Sequence, residues 1–218
     1  MTQRPGIDDI ASLLRLPITS LRLVSAVGSH TYGIASASSD HDFLVVAQGV
    51  TRDDLVQRNG IDIVLKTPTS FQKALDDQSI FALQALHATP EHSLLRRQGA
   101  FRWVLRREKL IEAAFSTMAR DLAHAEKRFE DDRVASTRRA LHSLRVGQFA
   151  AQICSTGKIA DFTSIKPVWA AMQAKGPTSW GDVMSVIREP LEDVRSELTR
   201  LRDRPSETSI RAARASRM

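Results

Sequence analysis

The stretch Val27–Val46, VGSHTYGIASASSDHDFLVV, constrains this chain more than any other. Leu21–Val27 (LRLVSAV) is a compact β-prone run that ends in Gly28-Ser29, and after the loop Ser36–Ser39 comes a second apolar run, Phe43–Ala47 (FLVVA). Both read as buried strands. Between them, Asp40-His41-Asp42 opens the second strand. Each part has a physical job. Gly28 lets backbone approach a phosphate closely, and Ser29 adds a hydroxyl at an expected helix N-terminus, where free amides favour anions. Asp40 and Asp42 lie two apart on a strand, so both side chains point to one face. Two carboxylates aimed at one point make a hard-oxygen site suited to Mg²⁺, which keeps several waters and takes phosphate oxygens as further ligands.

Asn59-Gly60 is a turn signal, and Ile61–Leu65 (IDIVL) leaves it with strand alternation. If that strand lies beside Phe43–Ala47, Asp62 faces the Asp40/Asp42 pair as a third carboxylate. Three such groups suit a two-metal phosphoryl transfer, with the third acid on the side of the attacking hydroxyl. A lone Asp-x-Asp is weak, and so is a lone Gly-Ser. The two together, at this spacing, between two apolar strands and with a strand-borne acid to follow, are specific. The competing reading makes Ser38–Asp42 a polar loop and Asp62 a turn residue.

These motifs resemble the nucleotidyltransferase superfamily that includes DNA polymerase beta and the aminoglycoside nucleotidyltransferases. More narrowly, GSHTYGIASASSDHDF looks like bacterial and phage predicted nucleotidyltransferases, some linked to RNA repair. The helix Arg138–Arg145 (RRALHSLR) is similar to their later Lys-x-x-x-His-x-x-Arg helix, with Arg138 in the lysine's place. The resemblance covers roughly residues 21–160. It implies an α+β fold: a small mixed, palm-like β-sheet flanked by helices, then a helical C-terminal lobe. It also implies two Mg²⁺ ions (Mn²⁺ as an alternative) held by Asp40 and Asp42, with Asp62 as third carboxylate. An NTP, ATP first among candidates, is then the substrate. The helix is legible without the family: Arg138, His142 and Arg145 fall on one face, able to hold a triphosphate or an acceptor phosphate, or simply to be solvated. Gly28, Ser29 and His30 complete the expected nucleotide-binding set. His30 and His41 flank the site, and Tyr32 either stacks on a base or packs between strand and helix.

Along the rest of the chain, Ile7–Leu16 reads as a short amphipathic helix stopped by Pro17. Thr51–Asn59 reads as a helix with a Thr cap and Asp53-Asp54 in its first turn. Thr69–Leu75 and Ile80–His87 read as further helices. From about residue 101 strand-like runs give way to Lys109–Arg128, Val134–Ser155 (capped by Gly157), Trp169–Ala174 and Trp180–Leu201, with breaks expected at Gly176-Pro177 and Pro190. The expected units are a catalytic domain over 1–100, a helical lobe over 101–204 and a basic, frayed or extended tail over 205–218.

Charge follows that division. The net charge is +6; residues 1–100 hold 9 Lys+Arg against 10 Asp+Glu, and residues 101–218 hold the other 22 against 15. A basic second half favours RNA as acceptor, a tRNA end among the options, because clustered cations neutralise phosphates. Aromatic content of 6% does not support base stacking, so a partner protein or small molecule stays open as acceptor. So does a non-catalytic nucleotide- or RNA-binding module, although such a relic would be expected to lose one of the three acids. Arg96-Arg97 and Arg106-Arg107 either line an acceptor groove or are solvated. Trp103, Trp169 and Trp180 read as core anchors, and His87, His92 and His124 as ordinary residues. The single Cys154 excludes an internal disulfide framework and reads as a small buried hydrophobe. No membrane-spanning run or signal peptide is visible, so a cytoplasmic protein is expected.

Overall fold

The computed structural model describes residues 4–204; the expected basic tail lies outside the described residues. Five strands form one mixed sheet: β1 (Leu21–Val27), β2 (His41–Ala47), β3 (Asp54–Arg58), β4 (Ile61–Lys66) and β5 (Ser93–Arg96), in the order β3-β4-β2-β1-β5. β1 and β2 are antiparallel, as are β1 with β5 and β3 with β4, whereas β2 and β4 run parallel in the register Asp42↔Asp62. That register follows from pleat matching. Ile63 and Leu65 must share a face with Phe43 and Val45 to bury together, so Asp62 is carried to the face of Asp42.

The two faces have separate cores. Phe43, Val45, Ile63 and Leu65 pack with Ile10 and Ala11 of α1 (Ile7–Leu14). Leu44 and Val46 point the other way, into a larger core with α3 (Pro68–Asp76), α4 (Ile80–Leu86) and the helices that follow: α5 (Arg107–Arg128), α6 (Arg133–Thr156), α7 (Lys166–Lys175) and α8 (Trp180–Asp203). A one-turn helix, α2 (Gly28–Thr31), caps the end of β1. The fold is α+β, with the sheet N-terminal and the helices α5–α8 C-terminal. No helix among the described residues is long and apolar enough to cross a membrane.

Two expectations need correction, and one strand was not foreseen. Thr51–Asn59 is not a helix: Asp54–Arg58 is strand β3, antiparallel to β4 through an Asn59-Gly60 turn with φ of 55° and 72°. Two left-handed residues match the twist of a two-residue hairpin, and pairing with β4 overrides the local cap signal. Asp53 instead accepts hydrogen bonds from Thr67 N–H (3.0 Å) and Lys66 Nζ (2.7 Å), pinning the start of α3. β5 is an extra edge strand in a stretch with no strand pattern to read. Pro190 sits inside an unbroken α8 between buried Ile187 and Leu191, whose packing outweighs one missing amide donor.

Candidate active site

Asp40, Asp42 and Asp62 line one cleft of about 550 Å³ together with Gly28, Ser29, Arg138, His142 and Arg145. The sheet supplies the floor, α2 one end and α6 the opposing wall. His142 and Arg145 lie one turn apart on α6, and Arg138 one turn before them, which is why a single helix face delivers all three.

The three carboxylates each lean on a different neighbour. Asp42 is half-buried beneath α2 and accepts the Ser29 backbone N–H. Gly28 stands there with φ +75°, and a Cβ on it would sit 1.9 Å from Asp42 Oδ2, so only glycine leaves the carboxylate its place. Asp62 accepts a 2.8 Å hydrogen bond from Gln57 Nε2 on the neighbouring β3. Asp40 is exposed beside the Gly60 turn, its Oδ1 3.5 Å from where a Gly60 Cβ would stand. Accordingly, no three His, Cys, Asp or Glu side chains among the described residues form a ready-made cage around one ion. The acids share a cleft rather than a preassembled coordination sphere.

Burial is the largest cause pushing the Asp42 carboxyl above the usual carboxylate range. The charges of Asp62 and Asp40 push it the same way, against the Ser29 amide and the His30 charge. The opposing wall supplies cations. The Arg145 guanidinium lies 3.6 Å from the centroid of the Tyr32 ring and feels the charge of Asp42. Burial lowers its pKa from the ordinary value, against the pull of Tyr32 and Asp42, and arginine remains charged throughout. Tyr32 is 3% exposed and donates from its hydroxyl to Gln84 Oε1 at 2.7 Å, so it packs between strand and helix and braces Arg145.

Other expected site residues fall elsewhere. His30 turns away from this cleft: its ring stacks on His41 at 4.3 Å, Nε2 lies 3.2 Å from the Ser39 carbonyl, and both rings line a neighbouring cavity. The stacked pair braces the loop between α2 and β2. Arg97 is pinned to the Leu21 carbonyl at 2.7 Å rather than lining a groove. Trp103 and Trp180 pack at the margin of the large core, as does Trp169, which also reaches the cleft. Cys154 is buried, and burial pushes its thiol up to about 11, which leaves it inert.

Two contributors escaped the sequence reading. Gln57 lay in the segment misread as helix; the strand alternation Leu55-x-Gln57 opposite Val64-x-Asp62 was the available signal. Asp121 of α5, 3% exposed, accepts from His142 Nδ1 at 2.8 Å and from Arg139 Nε at 3.3 Å. Burial alone would raise its carboxyl, but the His142 hydrogen bond and charge, with Arg139, hold it below the usual range.

No protein-family model matches this chain, and no curated protein matches it. Among solved structures it is similar to a nucleotidyltransferase-like protein from Exiguobacterium sibiricum, at 13% identity and a TM-score of 0.34, over 92% of this chain and 81% of that one. So distant a likeness says nothing about chemistry, which rests on the geometry of the cleft.

Proposed function

We propose that this protein is a nucleotidyltransferase that transfers a nucleoside monophosphate from an NTP, ATP first, to an acceptor hydroxyl. The observation that carries the proposal is the row Gly28-Ser29, Asp42, Asp62 across three adjacent strands, facing Arg138, His142 and Arg145. One end offers amides and cations to a triphosphate; the other offers carboxylates to a divalent ion and a nucleophile.

The donor set fits Mg²⁺, with Mn²⁺ as an alternative. All three groups are carboxylates, Gly28 leaves room for one of them, and Asp42 sits where nearby negative charge makes a cation welcome. An incomplete cage is what Mg²⁺ with its waters and substrate oxygens requires. Asp40 and Asp42 would hold the ions, with Asp62 on the acceptor side. Bound there, the ions supply charge neutralisation and a lowered pKa for the attacking hydroxyl. The chain's own groups do the rest. The Ser29 hydroxyl and the α2 amides other than the one given to Asp42 seat phosphate oxygens, Arg145 and Arg138 offset their charge, and Asp62, oriented by Gln57, takes the hydroxyl proton. The acids belong to the unit over 1–100 and the phosphate-binding helix to the lobe over 101–204, so the two are proposed to work as catalytic domain and clamp.

RNA is the acceptor we favour, because Arg138 is exposed at the cleft and the second half of the chain is strongly basic. The test is incubation with each α-labelled NTP, Mg²⁺, and either total RNA or protein lysate. Label on RNA, lost with Asp42→Asn and falling steeply with salt, is expected. Label on protein moves the acceptor to a partner protein, and no transfer to either refutes the enzyme reading in favour of a binding module.

A further inference from the structure

Asp121 lies in the contact between α5 and α6, where an apolar side chain would pack at lower cost. A carboxylate in such a place is expensive unless fully engaged. This one is engaged on both oxygens: Oδ2 with His142 Nδ1 at 2.8 Å, and Oδ1 with Arg139 Nε at 3.3 Å and Arg120 Nε at 3.7 Å. An ionised carboxylate can only accept, so the proton between Asp121 and His142 belongs to Nδ1. The His142 side chain is 39% exposed and lines the cleft, while its partner carboxylate is 4% exposed. The imidazole therefore has one edge tied to the helix interface and one edge left for the cleft.

We propose that Asp121 is a positioning residue that holds the Nδ1–H edge of His142 and turns Nε2 toward the phosphates of the bound nucleotide, where the doubly protonated ring donates from Nε2–H to a phosphate oxygen. This rests on the nucleotide reading of the cleft. Arg139 has a matching part: it occupies the second carboxylate oxygen and reaches His124, 3.1 Å from its Nδ1, so Asp121 is held from the side away from His142. Arg138, the next residue, is then left free to face the cleft. The same logic tunes metal-bound and catalytic imidazoles generally, where the partner of the far nitrogen sets tautomer and ring orientation.

The test is ¹⁵N-labelled full-length protein observed through its histidine ring nitrogens. In the free wild type, His142 should show a protonated Nδ1, and a non-hydrolysable ATP analogue with Mg²⁺ should shift Nε2 most, toward the signature of a protonated, hydrogen-bonded nitrogen. Asp121→Asn removes the carboxylate charge that supports the doubly protonated ring, leaving a neutral imidazole, and should weaken analogue binding roughly tenfold, the scale of one charge-assisted hydrogen bond. In the His142→Ala background the same substitution should change binding by less than about twofold, because the residue acts through His142. An equal loss in both backgrounds, or an unprotonated Nδ1 in the wild type, overturns the inference. Should Asp121→Asn fail to fold, the wild-type spectra still decide. If the analogue shifts the Gly28 and Ser29 amides but leaves the His142 nitrogens unmoved, this inference alone fails. If it shifts none of them, the nucleotide reading fails with it.

Discussion

Asp42 is where the fold and the proposed metal-dependent chemistry make opposite demands. Its carboxyl is raised above the ordinary 3.8, first by burial and then by Asp62 and Asp40. A group raised in this way supports folding while protonated. That contribution is fully present below the unfolded pKa and is lost as pH rises through the folded one. Once ionised, as holding a cation requires, Asp42 therefore works against the fold. Strands about 4.8 Å apart put the in-register Asp42 and Asp62 carboxyls on the order of 5 Å from each other. The repulsion is then about 0.8 kcal/mol at the dielectric of water and about 3 kcal/mol at an effective value of 20. For a half-buried group the relief on Asp42→Asn should be about 1–2 kcal/mol, and the asparagine oxygen still accepts the Ser29 amide. In EDTA the variant should melt higher, by about 2–4 °C for each kcal/mol in a chain of this size. With Mg²⁺ and a non-hydrolysable NTP the order should reverse, the wild type gaining stability and the variant little, and with an α-labelled NTP transfer should fall by about 1000-fold. Differential scanning calorimetry at pH 7, with and without Mg²⁺, reads all but the last. A variant that melts lower than wild type in EDTA, or that keeps the full Mg²⁺ shift, would refute the reasoning.

Gln57→Ala removes the hydrogen bond to Asp62 from an exposed edge strand, so unfolding free energy should move by less than about 0.5 kcal/mol while kcat drops several-fold; unchanged steady-state kinetics would mean Asp62 needs no help. Gly28→Ala forces a Cβ into Asp42 Oδ2 at a φ of +75°, and should cost about 1–3 kcal/mol of stability and abolish the Mg²⁺-induced shift; calorimetry decides both. His87 is held mostly by burial at a pKa of about 4, with Nε2 buried and unpartnered. Because the unfolded chain takes up that proton first, stability should fall as pH drops from 6.5 toward 4, by at most about 3 kcal/mol. His87→Leu should flatten that slope in urea titrations at pH 7, 5.5 and 4.5, and an unchanged slope would assign the acid sensitivity elsewhere.

What was legible in the sequence was local. Asp42 and Asp62 could be read because strand alternation is a two-residue rule, Asp40 because it stands two residues before Asp42 at the mouth of β2, and Gly28-Ser29 only in company with those acids. The face shared by Arg138, His142 and Arg145 followed from helical spacing alone, and all three line the cleft. β3 was misread for an equally local reason. Thr51, Asp53 and Asp54 mimic a capped first turn, and nothing within the segment announces that β4 will pair with it. The cap-like acid found another use, since Asp53 holds the start of α3 from 14 residues away.

The groups that tune the site were the ones hidden, and the reason is the same for each. Gln57 acts on Asp62 across a hairpin and Asp121 acts on His142 across a helix pair. In both cases the residue that meets the cleft carries a clear sequence signature and its supporter only a faint one, because support is a property of packing rather than of spacing. Asp121 shows how such a residue can still be suspected. A lone carboxylate among Met118, Leu122 and Ala125 of an apolar helix stripe breaks the pattern, and burial of a charge there demands a partner. The partner had to be a cation or imidazole on the helix packed against it, and α6 supplies both Arg139 and His142 on the facing side. The anomaly in one helix and the stripe in the other are thus a single feature: a buried acid behind an imidazole that faces the proposed phosphates.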